Sequence, residues 1–248
     1  MEVDKRDTTA GKHNISSQLS NNPVTKDDLA YEVELLSDYD FHANANTTPP
    51  TTTTAWSHPR SCLVAIKQYK KHDELEYAMA KREVSALTAI SDPAIPALLD
   101  QFDPAATVFI ITEHRDTESL KSYIEGRGPL GELRLKSVVT QLMSALASIF
   151  MAGLAHLRLC DETMSIDSSG QLVIRDFQYA HGYAPGRDVV EEGLYTATQK
   201  RYGSDIYVAP EVFAVQRYNA RKAVMWSCGV AVVCSLLLFS QGRLGVQS

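Results

Sequence analysis

Cysteine is scarce in this chain, positive charge is not in excess, and no long apolar run stands at its start; each shortage removes a class of function. The four cysteines, Cys62, Cys160, Cys228 and Cys234, form no CxxC pair and have no histidine at zinc-finger spacing. Neither a metal finger nor a disulfide framework is therefore indicated, and a reducing compartment, cytoplasm or nucleus, is the expected location. Lysine and arginine number 24 against 30 aspartates and glutamates, a net charge of -6. That balance provides no broad positive field for phosphate backbones and argues against a nucleic-acid partner. The polar N-terminus holds no stretch of signal-peptide length, and Glu2 excludes N-myristoylation.

What remains is enough for a core. A chain of 248 residues, 44% of them hydrophobic, can bury one sizeable core or two small lobes. Residues 1–28 are too polar to offset the entropy of ordering and read as a tail. Asn44 to Thr54 (NANTTPPTTTT) mixes Asn, Pro and Thr and reads as an exposed loop, so an insertion is expected over 44–57. Strands are expected at Tyr31 to Leu36, where apolar and acidic residues alternate, at Cys62 to Tyr69 and at Thr107 to Thr112. Helical spacing runs from Glu74 to Ile90, stopped by Ser91-Asp92-Pro93, and again from Leu133 to Met151. A short strand is expected at Gln171 to Ile174. Strands early and helices late make this an α+β protein with a sheet-rich first half.

The word Val64-Ala65-Ile66-Lys67 places a lysine on a buried strand, and a buried lysine needs a counter-charge. Glu83, on the helix that follows, can supply it. Further words come in order: Val108 to His114 (VFIITEH), His156-Leu157-Arg158-Leu159, Asp176-Phe177-Gln178, Gly203 to Glu211 (GSDIYVAPE), and Lys222 to Val230 (KAVMWSCGV). Together they resemble the eukaryotic protein kinases of serine/threonine type, through V-A-I-K, the hinge strand, H-R-D-L, D-F-G, the A-P-E segment end and the central helix. The resemblance implies a bilobed fold, with a β-rich N-lobe over 29–114, a helical C-lobe over 115–240 and a tail over 241–248.

The same resemblance assigns roles. It implies that Lys67 and Glu83 hold nucleotide phosphates, with Ala65, Thr112, Glu113 and His114 lining the nucleotide site, Thr112 at the gatekeeper place, and Asp176 at the metal place. Leu87, Leu98 or Leu99, His156 and Phe177 fall where a hydrophobic column links the lobes. Ser204 leans towards serine/threonine over tyrosine specificity.

Departures from the pattern decide the expected function. Arg158 stands at the place of the catalytic aspartate, Cys160 at that of the lysine near the transferred phosphate, and Thr163 at that of the metal-binding asparagine. An arginine stays protonated and cannot accept a proton. The neighbouring Asp161 and Glu162 are the only nearby carboxylates that could stand in. Aligned with the phosphate-covering loop, Leu36 to His42 lacks glycine and carries Asp38 and Asp40, which would repel a triphosphate. Gln178 replaces the glycine after Phe177, and Val224 the aspartate of the central helix. The expectation is a pseudokinase that scaffolds a protein partner and binds ATP and Mg²⁺ weakly or not at all, with a residual serine/threonine kinase as the rival.

Ala223 to Phe239 is an uncharged run of 17 residues, at the lower edge of bilayer-spanning length. The resemblance makes it the buried central helix; a tail-anchored membrane protein with a decayed kinase domain is the less favoured alternative. Because the chain stops at Ser248, this helix is expected to be covered by a partner or a membrane, or the chain to be a fragment.

Overall fold

The computed structural model describes residues 34, 36–41, 51–183, 189–191, 205–214 and 217–237. Five antiparallel strands form the first half: β1 (Tyr39–Phe41), β2 (Thr51–Ser57), β3 (Cys62–Lys70), β4 (Leu98–Phe102) and β5 (Thr107–Glu113), in the order β1-β2-β3-β5-β4. Val64, Ile66, Phe109 and Ile111 point to one face of this sheet, where they form a small core with Tyr39 and Ala55. Tyr69, Val108 and Ile110, offset by one residue, point to the other face and join the main core, as the two-residue period of a strand requires.

Helix α1 (Glu74–Ala89) packs on that second face. Asp73 starts it by accepting the N–H groups of Leu75 and Glu76 at 2.9 and 3.1 Å, which satisfies two donors that no helical carbonyl can reach. The described part of the second half holds α2 (Leu120–Arg127), α3 (Glu132–Met151), α4 (Pro210–Ala214) and α5 (Ala220–Leu237). Along α3 the buried residues are Val138, Leu142, Ala145, Leu146 and Ile149, one stripe at helical spacing. Ala223, Val224, Cys228 and Ala231 make the equivalent stripe on α5.

Short strands thread between these helices. β6 (Thr117–Ser119) pairs with β8 (Met164–Asp167), and β8 with β9 (Leu172–Ile174). β7 (Leu154–Ala155) pairs with β10 (His181–Gly182). Since β7 and β8 flank residues 156–163, and β9 and β10 flank 175–180, these two connecting stretches lie side by side. The Arg175 N–H donating to the Thr163 carbonyl at 2.9 Å ties them. β11 (Val189–Glu191) pairs with β12 (Arg217–Asn219). The whole is the α+β arrangement expected, with strands first and helices after.

Three expectations change. Within Tyr31 to Leu36, Glu34 is helical and Leu36–Asp38 form a turn, closed by Ser37 donating through both N–H and hydroxyl to the Glu34 carbonyl. Residues 31–33 and 35 lie outside the described residues. Serine and aspartate bond their local backbone and favour turns, which outweighs so short an alternation. The expected insertion over 44–57 is also corrected: Thr51–Ser57 is a full strand, paired residue for residue with β3. Threonine is β-branched, and its fit to a pleated sheet outweighs the loop-like composition.

The third correction concerns the phosphate-covering loop. Tyr39–Phe41 is an edge strand that pairs with Ala55–Ser57, and Ser57 lies opposite Cys62. Lys67 instead lies opposite Thr52, five residues along, or roughly 16 Å at strand rise. Residues 42–50 (HANANTTPP), which contain no glycine, lie outside the described residues, as do residues 1–28. Asp40 is an exposed partner of His58 at 2.9 Å.

Candidate active site

Strand β3 carries Lys67 inward on the face of Ala65 and Tyr69, and α1 presents Glu83 to it. Lys67 Nζ donates to the two Glu83 oxygens at 2.8 and 3.1 Å and to Asp176 Oδ1 at 2.9 Å. The side chains of Lys67 and Glu83 are 13% and 6% exposed. Burial by itself would lower the lysine's pKa, but Asp176 and Glu83 outweigh it and hold it above its ordinary value. For Asp176 burial pushes upward, Lys67 pulls down further, and Arg158 adds to the pull, leaving the carboxyl below its usual range. Three residues singled out in sequence are thus brought into one ion cluster. Asp176 itself has φ 66 and ψ 51, left-handed backbone that aspartate tolerates better than most residues.

Sequence reading missed two members of this cluster. Gln178 Oε1 lies 3.1 Å from Lys67 Nζ and 2.7 Å from the Tyr69 hydroxyl. Tyr69 Oη also donates to Glu83, and burial, then Glu83, raise its pKa well above the ordinary value. A signal existed for Tyr69, because it stands two residues after Lys67 and so shares its face. For Gln178 there was none beyond the missing glycine.

Ala65 and Thr112 are paired across β3 and β5 and half-buried, so the structure places both at the inner face of the sheet. The Glu113 side chain is turned away to Arg115 at 2.8 Å, and that hydrogen bond holds its pKa low. His114 is half-buried, its pKa lowered by burial and then by Arg175.

The loop below is closed on itself. Thr163 Oγ1 donates to the Arg158 and Cys160 carbonyls at 2.9 and 3.2 Å, and accepts the Cys160 N–H at 3.0 Å. Burial raises the pKa of the Cys160 thiol. The Arg158 guanidinium lies over the Tyr179 ring, 4.5 Å from its centroid. Both neighbouring carboxylates have partners of their own. Asp161 is buried, its pKa raised by burial, with a hydrogen bond from Tyr207. Glu162 is outside, paired with Lys121 at 2.7 Å.

These residues do not make a two-metal cradle for Mg²⁺ with ATP. Asp176 is bonded to Lys67, and the Thr163 hydroxyl is spent within its own loop, whereas Mg²⁺ asks for several free oxygens in near-octahedral geometry. Among the described residues there is no cluster of three or more His, Cys, Asp or Glu suited to a metal.

Beside the site lie the residues of the expected hydrophobic column. His156 and Phe177 meet edge to face at 4.8 Å, Leu87 and Phe177 share the main core, and Leu98 packs against it, while Leu99 faces the other core. His156 Nε2 donates to the Arg175 carbonyl at 2.7 Å, and Nδ1 accepts the Arg158 N–H at 3.3 Å. Burial lowers the ring's pKa to about 4, against a smaller opposing effect of that carbonyl, so it is neutral at physiological pH. Val224, where the resemblance implies an aspartate, is fully buried in the same core. Ser227 on α5 instead donates to the Tyr207 carbonyl at 2.7 Å. Gly203 and Ser204 lie outside the described residues.

Comparison with known proteins agrees with this architecture. The family model for the protein kinase domain matches residues 51–241. CBL-interacting protein kinase 9 of Oryza sativa subsp. japonica is 32% identical over 171 residues, which are 67% of this chain and 36% of that protein. The figures for NUAK family SNF1-like kinase 2 of Rattus norvegicus are 29%, 68% and 26%. CBL-interacting serine/threonine-protein kinase 12 of Arabidopsis thaliana is 32% identical over 67% of this chain and 33% of its own length. The chain thus spans about a third or less of the relatives it matches. With that match running from β2 beyond α5, and the lysine, glutamate and aspartate of the family's words joined in one cluster, the chain belongs to the protein kinase family.

Proposed function

We propose that this chain is a catalytically impaired protein kinase domain that acts as a scaffold for a protein partner, with weak or no ATP binding. One observation carries the reading. Arg158 holds the motif position of the family's catalytic aspartate, with its guanidinium over the Tyr179 ring, and both adjacent carboxylates are engaged elsewhere. A base must come within hydrogen-bond reach of the substrate hydroxyl, and a permanently protonated group cannot serve. A protein partner is supported by exposed Phe213, Met225, Trp226 and Val233 on α4 and α5, which are 45–59% exposed, since aromatic and Met side chains are favoured at interfaces. No helix among the described residues is long and apolar enough to cross a membrane. The four free thiols fit a reducing cytoplasm or nucleus.

Residual ATP-dependent serine/threonine kinase activity is the second reading, favoured by the ion cluster of Lys67, Glu83 and Asp176. Phosphotransfer from labelled ATP to generic serine and threonine substrates, with Mg²⁺ or Mn²⁺, separates the two. The expected result is incorporation no higher than in a Lys67→Ala control. Incorporation well above that control would overturn the impaired reading.

A further inference from the structure

An ammonium has three hydrogens to give, and four acceptor atoms stand within 3.1 Å of Lys67 Nζ: two of Glu83, one of Asp176 and one of Gln178. The lysine is saturated by the protein itself. Glu83, its two oxygens sharing one hydrogen, and Asp176, which takes the second, belong to the ion cluster that the family's words place there; Gln178, which takes the third, does not. Gln178 is 3% exposed and sits in the 3₁₀ turn Phe177–Tyr179. Its amide oxygen also bonds the Tyr69 hydroxyl at 2.7 Å, and its backbone carbonyl accepts from Arg82 on α1 at 3.4 Å. One residue therefore touches β3, α1 and the segment after Asp176. A neutral acceptor suits the place, because a third carboxylate beside Glu83 and Asp176 would be repelled.

We propose that Gln178 is an internal surrogate ligand: it satisfies the Lys67 hydrogen that a phosphate oxygen would otherwise need, and so holds α1 closed on β3 with no nucleotide present. The proposal rests on the impaired reading above and deepens it. A polyphosphate entering this cleft has to displace a buried, already satisfied acceptor, so weak nucleotide binding and a ligand-independent closed form have one cause.

Hydrogen–deuterium exchange on the purified full chain, with and without millimolar Mg²⁺ and ATP, tests it. In the wild type, the amides of Glu74–Ala89 are expected to exchange as slowly without nucleotide as with it. In Gln178→Gly they should exchange about tenfold faster or more, with β4 and β5 unchanged, and Mg²⁺ with ATP should restore part of the protection. Tyr69→Phe, which keeps the ring, should act in the same direction more weakly, and should add little to Gln178→Gly because the two share one network. Should Gln178→Gly fail to fold, Tyr69→Phe carries the test alone. Protection of α1 that depends on nucleotide in the wild type overturns the proposal, as does equal loosening of α1 and β5 in the variants. Phosphotransfer by a wild type with ligand-independent α1 protection would instead sink the impaired reading and leave the surrogate intact.

Discussion

The upper and lower halves of the cleft have diverged. Above, Lys67, Glu83 and Asp176 keep the family's residues and meet at hydrogen-bond distance; below, Arg158, Cys160 and Thr163 depart from the family's residues, and the Thr163 hydroxyl bonds the backbone of its own loop. The difference follows from burial. Deleting one member of a buried charge cluster strands its partners, so such a cluster resists piecemeal loss. A base or metal ligand serves only the substrate, and a loop can replace it with any side chain that satisfies the local backbone. The hydrophobic column behaves like the upper half: it needs only packing, and Leu87, His156 and Phe177 are all buried, with His156 and Phe177 in contact.

This contrast can be tested first where the effect is largest. If the missing base were the sole defect, Arg158→Asp would raise phosphotransfer by the roughly 10²- to 10⁴-fold that general-base catalysis supplies. The expected outcome is no rise above background, because Thr163 and Cys160 remain. A gain of that size in a radiometric assay would erase the distinction between the halves.

Next comes stability. Glu83→Ala removes the partner of two buried groups, Lys67 and Tyr69, and is expected to cost about 3–5 kcal/mol in urea unfolding. A loss below about 1 kcal/mol would show that the upper cluster is not retained for the reason given.

The column answers to pH. His156 is neutral when folded, with a pKa near 4, against an ordinary value of about 6.5 when unfolded. The unfolded state therefore binds the extra proton first as pH falls. Stability is complete above about pH 6.5, declines from there to about 4, and the total loss from this one group is about 3 kcal/mol. Asp176, whose folded pKa is depressed, adds a further loss below the ordinary carboxylate range. Melting temperatures across this interval should fall less steeply in His156→Gln; equal slopes would remove His156 as the cause.

The smallest effect belongs to the lower loop. Thr163→Val leaves the Cys160 N–H without its acceptor and is expected to cost about 1–3 kcal/mol, less than Glu83→Ala. The reverse order would invert the comparison.

Legibility followed the range of the interaction. Helix α1 could be read because Asp73 and the apolar spacing lie within it, and the Lys67–Glu83 pair because a strand lysine and a helix glutamate came as neighbouring words. Leu98 could not be told from Leu99, since adjacent strand residues differ only in the face they present, and pairing with β5 decides that. Strand β2 was misread as loop from its composition. Gln178 appeared only as a lost glycine.

By itself, the order of residues determined the family, the α+β class and the replacement of the proton acceptor by Arg158, because these rest on side-chain identity and local periodicity. Only the tertiary structure decided that Thr51–Ser57 pairs with β3, what Asp161 and Glu162 bond to, and that Gln178 joins Glu83 and Asp176 at the lysine, with Tyr69 bonded to Glu83 and Gln178. Those depend on strand register and on contacts across more than a hundred residues, where a one-residue slip reverses every side chain.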